Sequence, residues 1–427
     1  MDHGTIIDLA PMQMGVWTSC VLAPGSSAFQ AVVAVELLGA LDVFVLREAL
    51  GALAAQHPAL RTTFHAGDER HALPYQCIHE PGFEVVLDHS DASAWSQAKL
   101  REQVRADARV PIDIGRGPFR VAVYARGPAD HVVAFADHHI GLDLVSVELY
   151  LIDLPKLYEA ALRKETIPPR TSDVAYVDFV RKQAAFLDSA AAEESLAFWA
   201  KQLAEAPMAL DLPLDHPRPA VREARGAAFT LCLPPDAVDG LRGLGKSLNR
   251  TLLAVFQLLL FRYSGQTDML TGMPADMRPG PEYGDVMGNF VNMLVLRFDL
   301  SGNPTVRELL QHVHAVVSEG AKNRHIPFPR LIERLRPKRD PSTTPFFQVG
   351  MGLQRMPRLP HLSAYMIPGS TWSAKIGNFD ARSFEVIEHE GQYDFELISS
   401  EHEGRIWLGF KYNTDIFDRA TVERMAN

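Results

Sequence analysis

The stretch Asp137-His138-His139-Ile140-Gly141-Leu142-Asp143-Leu144-Val145-Ser146 ends an alternating apolar run and opens a helical one. Before it, residues 131–136 alternate as the side chains of a buried strand do. After it, apolar side chains recur at three- and four-residue spacing from Leu144 to Tyr158, which predicts a helix. Asp143 stands where the N-cap of that helix is expected. The stretch therefore predicts a strand–loop–helix corner.

Two adjacent histidines lie at the end of the predicted strand. Successive side chains of a strand point to opposite faces, so His138 and His139 do not face one cavity unless the strand ends between them. One imidazole is predicted to face a cavity, where it is suited to act as a general base, and the other to pack. The divergence of the two rings and the lack of a nearby cysteine disfavour a metal site. Each residue alone also fits a structural role: a histidine satisfied in the core, and an Asp143 that only caps the helix.

The composition is that of an ordinary soluble globular protein. The chain has 427 residues, of which 47% are hydrophobic and 22% are charged. The 42 basic and 52 acidic side chains give a net charge of −10, with no basic run. Nucleic acid is therefore not an expected partner.

The sequence carries no signal for membrane insertion or export. No apolar stretch reaches the roughly 18 residues needed to cross a bilayer, and residues 1–8 lack a signal-peptide pattern. Cys20, Cys77 and Cys232 are odd in number and far apart, so they provide neither a disulfide nor a metal framework. These features predict a cytoplasmic protein with no membrane association.

Helices and strands mix in both halves of the chain, which predicts two α/β lobes. The stretch 163–173 interrupts the periodicity with Pro168-Pro169 and polar residues, so we expect an N-terminal lobe at 1–170 and a C-terminal lobe at 171–427. For the C-terminal part the patterns predict helices at about 176–203, 251–263 and 306–322, strands at 227–233, 268–272 and 346–353, and an antiparallel meander from about 384 to 412.

The stretch 138–144 resembles the HHxxxDG signature of the condensation-domain family of nonribosomal peptide synthetases. Seven further stretches are similar to other motifs of that family and follow in the same order. They are residues 9–17 (the opening motif), 56–64 (RHExLRTxF), 176–180 (YxDFA), 287–292 (GxFVN), 323–329 (a degraded HQDYPFE), 339–345 (RDxSRNP) and 412–418 (YNTDLFD). The resemblance spans essentially the whole chain.

The resemblance implies a fold and a reaction. The fold is two chloramphenicol-acetyltransferase-like lobes in a V-shaped pseudo-dimer, with the active site in a tunnel between them. The reaction is attack of an acceptor amine on an acyl or peptidyl thioester, with both substrates on phosphopantetheine arms of an upstream donor and a downstream acceptor carrier protein. The domain itself is expected to bind no cofactor, and to act as a monomer or as part of a multidomain synthetase.

The resemblance also implies roles for particular residues. His139 matches the catalytic second histidine, whereas His138 is expected to pack or to form a structural hydrogen bond. Asp143 is expected to hold the loop by a buried ion pair, with Arg61 as the predicted partner. Three further residues are candidates for substrate contact. Leu144 is expected beside the base. Ser146 is expected as an oxyanion donor or a local cap, and Asn292 as substrate-binding or as support of the lobe interface.

One position departs from the family pattern. The glycine after the motif aspartate is Leu144 here, which removes backbone freedom and narrows the expected tunnel. Family members that accept polyketide-derived acyl groups carry bulky residues there, so we expect a donor of that class from a hybrid polyketide–peptide pathway.

The same residues distinguish this chain from related families. Heterocyclisation domains replace the histidine pair with aspartates, and epimerisation domains carry an EGHGRE-like motif that this sequence lacks. Two alternatives stay open: a free-standing, ester-forming acyltransferase that uses an alcohol acceptor, and a noncatalytic domain that binds or recruits carrier proteins.

Overall fold

In the computed structural model, the described residues are 4–166, 175–245, 247–360, 362–363, 367, 369, 371–386, 391–402 and 404–427. The strands are β1 (Thr5–Asp8), β2 (Gln30–Leu38), β3 (Thr62–His65), β4 (Tyr75–Ile78), β5 (Val86–Asp91), β6 (Phe119–Gly127), β7 (Asp130–His138), β8 (Gly226–Cys232), β9 (Asp268–Asp276), β10 (Val291–Asp299), β11 (Val349–Gln354), β12 (Ser373–Ile376), β13 (Phe379–Phe384), β14 (Phe395–His402) and β15 (Arg405–Asn413). The helices are α1 (Pro11–Leu22), α2 (Val43–Gln56), α3 (Gln97–Ala108), α4 (Leu144–Leu162), α5 (Tyr176–Leu187), α6 (Ala190–Leu203), α7 (Pro235–Leu244), α8 (Leu248–Ser264), α9 (Val306–Lys322), α10 (Phe328–Leu335) and α11 (Arg419–Ala426).

Contacts divide the chain into two compact units. The first consists of residues 1–184, 278–290 and 356–387, and the second of residues 185–277, 291–355 and 388–427. Both units combine helices with a six-stranded sheet, so the predicted mixed α/β fold is confirmed.

The sheet of the first unit has the order β12-β13-β2-β7-β6-β5. Its neighbours are antiparallel except β5 and β6, which run parallel. Strand β7 is central and buried along nearly its whole length, which explains its apolar sequence. Helices α2 and α4 pack their apolar faces into the same core, where Leu50, Leu53, Val121, Val133 and Tyr150 are almost fully buried. A separate three-stranded sheet, β1-β4-β3, belongs to the same unit.

The sheet of the second unit has the order β10-β9-β11-β14-β15-β8. Strand β11 pairs parallel with β9 and β14, and the other pairs are antiparallel. Its core contains large, fully buried aromatic rings such as Phe256, Phe298 and Phe395. The predicted meander is confirmed for β14 and β15, whereas β13 pairs with β2 in the first unit.

Most predicted elements occur at or near their predicted positions, with one exception. The predicted single helix at 176–203 is wrong, because the chain forms two helices that break near Ser189. The Ser189 hydroxyl accepts a hydrogen bond from the backbone N–H of Ala192 at 3.3 Å and so caps α6.

The contact units differ from a single division at residue 170. The first unit extends to Ala184 and takes in two later segments, 278–290 and 356–387. The second of these segments supplies β12 and β13 to the edge of the first sheet. The predicted boundary at Pro168-Pro169 lies outside the described residues and stays a prediction.

Candidate functional site

The two histidines stand at the C-terminal end of β7, as the sequence pattern predicts. Backbone hydrogen bonds hold this end from two sides: His138 N–H donates to Pro118 O, and His139 N–H donates to Phe29 O, both at 2.8 Å. The backbone then turns, because Leu142 N–H donates to His138 O at 3.1 Å. Asp143 follows as the N-cap of α4. Backbone hydrogen bonds thus hold both histidines, and the Asp143 cap begins the helix that follows them.

His138 points into the protein and is 6% exposed. Its Nδ1 accepts the N–H of Ile140 at 3.1 Å, and its Nε2 lies 3.6 Å from the Cys20 sulfur. Burial, together with the neighbouring His139, lowers the pKa of His138 to about 3. His138 is thus neutral near pH 7 with the proton on Nε2, and its contacts are those of a structural residue.

His139 is half-buried and has different contacts. Its Nδ1–H donates to the carbonyl oxygen of Leu142 at 3.2 Å. A neutral imidazole that donates through Nδ1 carries its lone pair on Nε2. In its neutral form, His139 therefore has Nε2 as its proton-accepting nitrogen, which is the chemistry of a general base.

The carboxylate of Asp143 is 2% exposed and is surrounded by donors. Its Oδ1 accepts the N–H and the hydroxyl of Ser146, each at 2.9 Å. Its Oδ2 accepts Arg278 Nη1 at 2.8 Å and the N–H of Phe290 at 3.2 Å. The predicted helix cap and the predicted buried ion pair are both present, and both hold the loop.

The predicted partner of that ion pair was wrong: it is Arg278 and not Arg61. The guanidinium of Arg61 donates instead to the backbone carbonyl of His79. Arg278 is 7% exposed, bonds both Asp143 oxygens and also donates to the carbonyls of Tyr283 and Val286. Its guanidinium carbon lies 4.1 Å from the centre of the Phe290 ring. Arg278 thus fastens the segment 278–290 to the start of α4.

Ser146 and Asn292 are fully buried, so neither offers surface for a substrate. Ser146 takes part in the cap, and its hydroxyl accepts the N–H of Gly288 at 3.0 Å. Asn292, in the second unit, donates to the carbonyls of Arg324 and Ile326 at 2.8 and 2.7 Å and accepts the N–H of Phe328 at 2.9 Å. In both cases the contacts found are structural.

Leu144 occupies the first position of α4, where an ordinary helical conformation begins. It is half-buried and packs against the core of the first unit. Leucine therefore fits this position without requiring the conformational freedom of a glycine.

Several residues around the corner were not predicted. Gln13 donates to Ile140 O at 2.9 Å, and its Oε1 accepts the buried amide of Gln76 at 2.8 Å, so this pair holds the peptide that follows His139. On β7, Asp137 is 1% exposed and accepts the Tyr150 hydroxyl at 3.1 Å. Burial raises the pKa of Asp137 to about 7. Gln13 lies within the opening motif, which was the only signal in the sequence for any of these contacts.

Within the described ranges, no three His, Cys, Asp or Glu side chains come together in a way that could hold a metal ion. No helix of this part of the chain is long and apolar enough to span a membrane.

Comparison with known proteins gives one consistent family. The family model described as "Condensation domain" matches residues 4–427. The chain is 34% identical to one of the linear gramicidin synthase proteins of Brevibacillus parabrevis over 98% of its own length and 5% of that protein. It is 33% identical to chondramide synthase cmdD of Chondromyces crocatus over 100% of its length and 11% of that protein. The chain thus spans only a small part of these curated relatives.

Solved structures share the fold. The four-domain nonribosomal peptide synthetase holo-AB3403, bound to AMP and glycine, superposes with a TM-score of 0.88 at 27% identity, over 100% of this chain and 32% of that one. The X-domain from teicoplanin biosynthesis superposes with a TM-score of 0.84 at 24% identity, over 98% of this chain and 92% of that one, and shows the fold alone.

Proposed function

Because this chain belongs to the condensation-domain family, we propose that it catalyses amide bond formation between two carrier-bound substrates. The nitrogen of an acceptor amine attacks the carbonyl of an acyl or peptidyl thioester, the C–N bond forms, and the donor phosphopantetheine leaves as a free thiol. Upstream and downstream carrier proteins are the proposed partners, and they bring the phosphopantetheine arms with them.

The observation that supports this proposal is the different state of the two adjacent histidines. His138 is buried and held neutral, with its pKa lowered to about 3. His139 is half-buried, and its bond to Leu142 O leaves the proton-accepting lone pair on Nε2. We propose that Nε2 of His139 holds the attacking amine and accepts its proton as the tetrahedral intermediate forms.

The demand on His139 depends on the nucleophile. An α-amine titrates near 7.7–8.0 or so, and a useful fraction is already neutral at pH 7.5, so positioning supplies much of the effect. An alcohol requires deprotonation as it attacks. Removal of the imidazole should therefore lower the rate of ester synthesis more than the rate of the proposed amide synthesis.

For the donor, we propose a polyketide-derived acyl group. The support is Leu144, a bulky residue that replaces the motif glycine directly after the Asp143 cap and remains half-buried there. A donor panel that includes β-hydroxyacyl and simple aminoacyl thioesters tests this, with Leu144→Gly as the variant that is expected to broaden donor acceptance.

The test of the proposed reaction is intact mass spectrometry of carrier proteins after incubation with the chain. The donor carrier bears a simple acyl thioester, and acceptor carriers bear amine or alcohol substrates. His139→Ala is expected to lower the amide rate by about 10²-fold, a typical contribution of a positioned general base. His79→Ala, at a half-buried histidine of the same unit, is the matched control and is expected to retain the rate.

Product formed by His139→Ala at the wild-type rate would refute the assigned base. A product found only with alcohol acceptors would replace amide with ester synthesis. Binding of a carrier protein with no product from any acceptor would favour the noncatalytic recruiting role.

A further inference from the structure

The first unit contains an apolar cavity of about 320 Å³ between its sheet and helix α4, called here the α4 cavity. Val35 of β2 and Val133 and Phe135 of β7 form one wall, and Leu151 and Leu154 of α4 form the opposite one. The turn between β12 and β13 lies at its rim. None of residues 137–143 is among those that line it, so it is a second site and not part of the His139 corner.

The size of the cavity is that of a small-molecule site. Ligand pockets begin at about 300 Å³, and an apolar cavity of about 150 Å³ accommodates benzene. The α4 cavity therefore accommodates an apolar body of about eight to ten carbon atoms. An apolar ligand in the cavity would make dispersion contacts with these apolar walls.

The polar groups at the cavity select the head group of that ligand. The Tyr150 hydroxyl is bonded to Asp137, and the Tyr158 hydroxyl accepts the N–H of Asp42 at 2.8 Å. This leaves the carboxylate of Glu159 and the exposed amide of Asn378 at the rim.

Glu159 makes the rim acidic. It is 33% exposed, and Arg163 approaches it only to 3.8 Å while bonding Glu165 at 2.7 Å. A Cβ atom on Gly377 would lie 2.7 Å from Glu159 Oε1, so the carboxylate rests directly against the β12–β13 turn. A cationic head group fits this rim, and a carboxylate head group is repelled.

We propose that the α4 cavity binds a primary alkyl or arylalkyl amine, with its apolar body between β7 and α4 and its ammonium group on Glu159. The site is independent of the proposed amide synthesis. Because Val133 and Phe135 belong to the strand that carries the histidines, bound amine contacts the scaffold of the corner without contacting His139.

The test measures equilibrium binding of 1-octylamine, 1-octanol and octanoate to the full chain by isothermal titration calorimetry. The amine is expected to bind about fivefold more tightly than the alcohol, the value of one partly exposed ion pair, and octanoate most weakly. Glu159→Gln is expected to bring the amine and the alcohol to similar affinity while leaving the affinity for the alcohol unchanged.

Leu151→Trp fills the cavity and is expected to abolish binding of all three probes. Leu310→Trp, at a partly buried leucine on helix α9 of the second unit, is the matched control and retains binding. Should Leu151→Trp fail to fold, a diazirine analogue of octylamine is used with the wild type and is expected to label residues 133–135 or 150–162.

Four results would overturn the proposal, three from binding and one from labelling. The binding results are absence of amine binding to the wild type, octanoate binding as tight as that of the amine, and undiminished binding to folded Leu151→Trp. Labelling by the diazirine analogue elsewhere in the chain would also overturn it.

Discussion

Removal of the guanidinium group of Arg278 is expected to destabilise the first unit by about 3–5 kcal/mol, the usual cost of breaking a buried ion pair from one side. Arg278→Ala leaves the carboxylate of Asp143, 2% exposed, without its two bonds to Arg278 at 2.8 and 3.3 Å. Each hydrogen bond to a charged group contributes about 1.5–3 kcal/mol, so two such bonds give about 3–6 kcal/mol, which overlaps that range. The donors that remain, from Ser146 and Phe290, are neutral.

Two variants grade the effect. Arg278→Lys keeps the charge but not the two-pronged geometry, so we expect a loss of about 1–3 kcal/mol. Arg61→Ala is the matched control, because the guanidinium of Arg61 donates to a backbone carbonyl, that of His79, and not to the Asp143 carboxylate. Its loss is expected to be about 1 kcal/mol.

The measurement is urea-induced unfolding of the full chain, with hydrogen exchange of peptides from α4 and residues 278–290 to assign the loss to the first unit. Asp143→Asn is expected to follow Arg278→Ala and to lower soluble yield more than the turnover of the protein that folds. The reasoning is refuted if Arg278→Ala costs less than about 1 kcal/mol, or no more than Arg61→Ala. Normal yield of Asp143→Asn with a large loss of turnover would also refute it.

Three further changes test other contacts. The pKa of Asp137 is raised from 3.8 to about 7 in the folded chain, so wild-type stability falls as pH rises through that window, and Asp137→Asn removes this loss. We compare the unfolding free energies of the two proteins, measured with urea at pH 5 and pH 7. Their difference should change in favour of Asp137→Asn by about 1 kcal/mol per pH unit, and a pH-independent difference would contradict this. An added Cβ in Gly288→Ala would lie 2.2 Å from Tyr176 Cδ2, and we expect a cost of about 1–3 kcal/mol in the same assay, whereas Gly51→Ala, with open space around it, should cost nothing. Asn292→Ala removes the donor to the carbonyls of Arg324 and Ile326, the second of which is buried, and should lower the unfolding free energy by about 2–4 kcal/mol; an unchanged unfolding free energy would rule out its structural role.

The sequence was sufficient to predict the corner because its determinants are local. Alternation fixed β7, helical spacing fixed α4, and Asp143 marked the boundary between them. Local pattern was misleading at Ser189, because apolar spacing continues across the break and only the Ser189 cap separates α5 from α6.

The sequence pattern did not predict contacts between residues that are far apart in the chain. Arg278 lies 135 residues from Asp143, and no spacing rule selects one arginine among many at that separation. Membership of a motif favours Arg61 as the partner, yet its side chain bonds the carbonyl of His79. The role of Ser146 likewise depends on Gly288, which only the folded chain brings next to α4. A sequence pattern reveals which residues are buried, but the tertiary structure determines which distant side chains bond one another.

The position of β13 has a consequence for the order of events during translation. Strand β13 covers one edge of β2 along Ala34–Leu38, yet the ribosome releases it only after β8, β9, β10 and β11. Until then, that edge of β2 presents unpaired N–H and C=O groups, to which strands of other nascent chains can add. The first unit begins to fold early but closes its sheet late, so its exposure to aggregation lasts until β13 has been synthesised. We therefore expect chaperones in the cell to protect the edge of β2 rather than the second unit.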